Sequence, residues 1–143
     1  MVSIKNIIFD LGGVILNFDL KLTAEKFRSL GVHKIEDFFY SDTSNTFKDY
    51  EGGKISDQEF VEQLKGMIGI PVTDQQVIDS WNAMLIDFPK ARIDWLKDLR
   101  KRYRLFLFSN TNAFHQEKFR SIYRNSFGGT HLDELFEKAY YSH

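Results

Sequence analysis

At 143 residues the chain is long enough for one domain with a substantial core, but not for two of ordinary size. Hydrophobic residues at 43% and charged residues at 27% place it with globular rather than disordered chains, and 14 Phe make the core a bulky one. A net charge of −1, from 19 basic and 20 acidic residues in no long like-charge run, gives no electrostatic case for nucleic acid or a membrane surface; the lack of Cys excludes disulfides and thiolate metal sites.

The first element expected is a buried strand over Ile4 to Phe9, short, β-branched and almost uniformly apolar. It stops at Asp10, and Gly12 and Gly13 follow at once. A strand ending in an acid on a tight turn puts that acid at the carboxyl edge of a sheet, where open α/β proteins bind ligands. Glycines there let backbone amides approach an anion without a side chain in the way. The same apolar run is too short to span a bilayer, is broken by Asp10 and lacks a cleavage-site pattern, so a cytoplasmic location is the expectation.

From Leu20 to about Leu85 the texture is helical. Helices are expected over Thr23 to Leu30 and Lys34 to Tyr40, with Ser41 to Asn45 a polar loop and Glu51-Gly52-Gly53-Lys54 a break. Ser56-Asp57-Gln58-Glu59 and Thr73-Asp74-Gln75-Gln76 are capping boxes. They open apolar stripes through Phe60, Val61, Leu64, Met67 and Ile68, and through Val77, Ile78, Trp81, Met84 and Leu85. Asp19 reads as a helix cap in front of this region, and Trp81 and Trp95 read as packing residues. Pro89 suits the first turn of a helix carrying Ile93, Leu96 and Leu99.

A second apolar strand, Leu105 to Phe108, ends at Ser109-Asn110-Thr111-Asn112, where a further helix starts and carries Phe119, Ile122 and Tyr123. Phe136 to Tyr141 is a third strand. Strands separated by helices argue for a parallel sheet with right-handed crossovers, which brings Asp10 and Ser109 to one rim. A carboxylate nucleophile needs an electrophile held in line, and a serine hydroxyl with strand-to-helix amides suits phosphate oxygens. None of His33, His115, His131 and His143 has metal-site spacing, and surface or cap roles are expected for all four; His115, in the first turn after the second motif, is the one closest to the site, with a solvated helix position expected for it.

Phe9-Asp10-Leu11-Gly12-Gly13-Val14-Ile15 and Leu107-Phe108-Ser109-Asn110-Thr111-Asn112 resemble the first two motifs of the haloacid dehalogenase-like hydrolase superfamily. The helical insert, with Tyr50-Glu51-Gly52-Gly53-Lys54-Ile55-Ser56 and the stretch around Trp81 and Pro89, resembles the cap of the branch holding sugar-phosphate phosphatases and the amino-terminal domain of epoxide hydrolases. The resemblance implies a partial Rossmann-like parallel sheet of three strands, residues 1–16 and 88–143, with a helical cap over 17–87. It further implies a phosphatase of small phosphorylated metabolites. Asp10 would form an aspartyl-phosphate, and Mg²⁺ would be held by Asp10 and the Gly12 carbonyl. Ser109, Asn110 and Gly13 would contact the phosphoryl group.

Two departures qualify this. Family phosphatases place a second aspartate, the general acid and base, where this chain has Gly12; such help is worth roughly 10² to 10⁴ in rate. The third and fourth motifs, a lysine and metal-binding acids, would follow His143, so the chain is expected to be an amino-terminal portion of a longer hydrolase, inactive by itself. The first strand would then keep an open edge, to be covered by self-association or a carboxyl-terminal segment. The competing readings are a metal-independent 2-haloacid dehalogenase and a non-catalytic binding module.

Overall fold

The computed structural model describes residues 4–33 and 44–143. A parallel sheet forms from β1 (Asn6–Phe9), β4 (Arg104–Ser109) and β5 (Lys138–Tyr141), in the order β1-β4-β5. The register sets Phe9 beside Leu107 and Leu107 beside Ala139. Helix α5 (Lys90–Leu99) precedes β4, and α6 (Ala113–Ser126) with a 3-10 turn (Leu132–Leu135) joins β4 to β5. Both crossovers run the same way along the sheet, so both helices cover one face. That face holds the core: Phe9, Leu105 and Leu107 from the strands, Ile93 and Leu96 from α5, Phe119 and Tyr123 from α6.

The strand period of two sends alternate residues to the other face. There Ile8 is 71% exposed and Phe108 62%, with Tyr140 also exposed. β1 is therefore buried on one face only, not throughout as its apolar run suggests. Uniform hydrophobicity encodes two covered faces, and within the described residues the second has no cover.

Between β2 (Asn17–Phe18) and β3 (Leu85–Asp87) lies the helical insert: α1 (Leu20–Ser29), α2 (Ser44–Glu51), α3 (Asp57–Ile68) and α4 (Asp74–Asn82). Both capping boxes form: Ser56 accepts from the Glu59 amide and Thr73 from the Gln76 amide, each with the reciprocal bond. Asp19 caps α1 through the Lys21 amide. The insert has its own core, in which Tyr50 stacks on Phe60 at 4.0 Å and Phe27, Leu64, Val77 and Trp81 are buried. Burying side chains of this size is worth about 1.5–3 kcal/mol each.

β2 and β3 pair antiparallel, a ribbon the sequence reading did not contain. α4 ends at Asn82, so Leu85 lies in β3 rather than on the helical stripe assigned to it. The Asn17 side-chain NH₂ donates to the Asp87 carboxylate at 2.8 Å, Arg92 donates to the Asn17 Oδ1, and the Asp19 backbone amide donates to the Met84 carbonyl. The helix expected over Lys34 to Tyr40 lies outside the described residues. α2 begins within the segment read as a loop. Among the described residues no helix is long and apolar enough to cross a membrane.

Candidate active site

The parallel pairing of β1 and β4 brings Asp10 and Ser109 to the same end of the sheet. Asp10 is exposed, and its Oδ1 accepts from the Leu11 amide at 2.7 Å. The chain then curls around the Leu11 carbonyl, which accepts from the amides of Ile15 at 2.9 Å and Leu16 at 3.0 Å. Gly13 makes the curl with a φ of 73°, and its amide donates to the Leu16 carbonyl at 2.9 Å. The Gly13 amide is thus engaged within the loop.

The resulting bridge between Gly12 and Leu16 uses the Leu11 carbonyl and the Gly13 amide. Gly12 lends it neither of its own peptide groups. Among the described residues, its carbonyl and amide take part in no backbone hydrogen bond outside regular elements. A hard cation needs such an oxygen. A carboxylate and an uncommitted carbonyl two residues apart fit the oxygen preference of Mg²⁺ and supply part of its six ligands. Among the described residues no group of three or more His, Cys, Asp or Glu could hold a metal by itself.

On β4, Ser109 is buried and Asn110 exposed. Asn112 caps α6 by accepting from the His115 amide at 3.0 Å. Its side-chain NH₂ faces His115 Nδ1 at 3.1 Å, while His115 Nε2 lies 3.3 Å from the Trp81 carbonyl. Since a carbonyl can only accept, Nε2 carries the proton and Nδ1 accepts from Asn112. His115 is buried rather than solvated, and burial pushes its pKa down to about 4, so the ring is neutral near pH 7.

A cavity of about 240 Å³ lies between the sheet rim and the insert. Gly12, Ser109, Asn110 and Thr111 form its polar wall; Leu20, Trp81, Met84 and Leu85 form the apolar one. Asp10 and Gly13 adjoin this wall without lining it. Glu51 and His115 also line the cavity, and the sequence reading had given Glu51 no role there. Its signals were its position beside Gly52-Gly53 and its place in the Tyr50–Ser56 stretch that resembles the family's cap, neither of which points to the cavity. The Ser142 hydroxyl accepts from the Thr111 amide at 3.0 Å and lies 2.7 Å from the Glu51 carbonyl. One side chain thereby joins β4's loop, the end of β5 and the insert.

A three-stranded parallel sheet whose first crossover carries a helical insert, with an acid and a serine at its carboxyl rim, is the architecture of a capped Rossmann-like hydrolase. No family model matches the chain. It is 34% identical to an HAD family enzyme of Bacteroides thetaiotaomicron solved with magnesium and inorganic phosphate. That match has a TM-score of 0.85 and covers 98% of this chain and 69% of the other. A predicted HAD-like family hydrolase from Porphyromonas gingivalis matches at 36% identity and a TM-score of 0.83, over 99% of this chain and 67% of that one. The D-ribitol-5-phosphate phosphatase of Bacteroides thetaiotaomicron is 33% identical over 114 residues, 78% of this chain and 54% of that protein. The chain belongs to the HAD family of hydrolases. It spans about half the length of that curated relative.

Proposed function

We propose that the full-length protein is a Mg²⁺-dependent phosphatase of small phosphorylated metabolites, with Asp10 as its nucleophile. The observation that supports this reading is the shared rim, where parallel pairing brings Asp10 to the same sheet edge as Gly12 and the buried Ser109, both of which line one cavity under the insert. Relatives described as a phosphatase and as a magnesium and phosphate complex support it.

Asp10 attacks phosphorus, and the buried Ser109 hydroxyl with the Asn110 amide holds the phosphoryl oxygens in line. The Asp10 carboxylate and the Gly12 carbonyl would hold Mg²⁺, whose charge would offset that on those oxygens. The apolar wall of Leu20, Trp81 and Met84 excludes water from the ester side. The size of the cavity, about 240 Å³, suits a small metabolite, and the relative's polyol phosphate supports substrates of that kind.

The test is phosphate release by full-length protein with Mg²⁺. Asp10→Asn removes turnover while the circular dichroism spectrum is kept, and Ser109→Ala lowers kcat. Retained turnover in Asp10→Asn would overturn the assignment.

A further inference from the structure

Transfer from an alkyl phosphate leaves an oxygen that must collect a proton, and Gly12 has no side chain to give one. Among the described residues, two titratable side chains line the cavity, Glu51 and His115. Both His115 ring nitrogens are engaged, one donating to the Trp81 carbonyl and the other accepting from Asn112. That ring has no proton to spare.

Glu51 differs on each count. Among the described residues its carboxyl has no hydrogen-bond or ion-pair partner; of the two cations three residues away, Lys48 makes no ion pair with it and Lys54 is held by Asp49 at 2.9 Å. The residue closes α2, so its carboxyl sits at the negative end of the helix dipole, where the neutral form is favoured. Burial pushes its pKa upward in the same sense. Through the Ser142 hydroxyl its backbone is tied to Thr111, two residues beyond Ser109.

Building on the phosphatase reading above, we propose that Glu51 is the general acid of the reaction, reaching from the insert to supply the proton that position 12 cannot. As the Asp10 oxygen bonds to phosphorus, the ester P–O bond breaks and its electron pair stays on the departing oxygen. That oxygen takes the Glu51 proton, giving the alcohol, an aspartyl-phosphate and a Glu51 carboxylate. Glu51 then accepts a proton from a water whose oxygen attacks phosphorus. The Asp10–phosphorus bond breaks, releasing inorganic phosphate and restoring both side chains.

The experiment compares full-length wild type, Glu51→Gln and Glu51→Asp, with Mg²⁺, on two esters. One is the best alkyl ester from a panel of sugar and polyol monophosphates; the other is p-nitrophenyl phosphate, whose leaving group needs no proton. Glu51→Gln should lower kcat on the alkyl ester by roughly 10²–10⁴, and by under about tenfold on the aryl ester, with Glu51→Asp recovering part of the loss. An equal fall on both esters, intact alkyl turnover in Glu51→Gln, or a wild type confined to aryl esters would overturn the role while leaving an Asp10-dependent phosphatase standing. A wild type inactive on both would overturn the phosphatase reading and this one with it.

Discussion

The Trp81 indole and the His115 imidazole lie face to face, their centroids 4.8 Å apart and their planes 13° from parallel. Trp81 belongs to the core of the insert and His115 to the helix after β4, so this stack joins the two cores beside the cavity.

That junction depends on pH. His115 titrates near 6.5 when unfolded and near 4 when folded, so between these values the unfolded chain binds the extra proton. Its contribution is complete above pH 6.5 and is lost as pH falls toward 4, at up to about 1.4 kcal/mol per pH unit. Urea midpoints at pH 7 and pH 5 should fall accordingly in wild type, and less steeply in His115→Gln.

Trp81 is 5% exposed, and among the described residues its Nε1 has no acceptor. Trp81→Ala should cost about 3–5 kcal/mol through lost packing. Trp81→Phe keeps most of the ring contacts and removes an unsatisfied donor, so it should cost under half as much in a urea titration.

The capping boxes are local and measurable. Ser56→Ala leaves the Glu59 amide unsatisfied and should cost about 1 kcal/mol, and Thr73→Ala a similar amount. Neither residue lines the cavity. Thermal midpoints should therefore drop without a change in substrate preference.

Gly13 has a φ of 73°, and an added Cβ would also meet the Phe18 ring at 3.4 Å. Gly13→Ala should cost about 1–2 kcal/mol and loosen the curl that leaves Gly12 free. Denaturant titration reads the first effect. The Mg²⁺ concentration for half-maximal turnover of the full-length protein reads the second, and should rise.

The three sheet strands, α5 and α6 were legible because each combines a clear apolar period with a recognisable stop. Ser109, for example, ends β4, and Asn112 caps α6 three residues later. The ribbon was not legible, since β2 and β3 have two and three residues and carry no period at all. That Asp10 and Ser109 lie at one rim was legible because parallel strand order fixes which strand ends meet. The role of Glu51 was not, because its place in the cavity depends on how the insert folds over the sheet. Ser142 was hidden for the same reason, its partners Glu51 and Thr111 lying 91 and 31 residues away.

The ribbon has a mechanical meaning. The chain crosses from sheet to insert once through β2 and returns through β3, and the two crossings are bonded to each other. Two separate tethers would let the helices slide or twist over the rim. A laced pair restricts them to swinging together, like a door on a single leaf. Arg92 fastens that leaf to α5 through Asn17, so Asn17, Asp87 and Arg92 together anchor both crossings to the sheet-side helix.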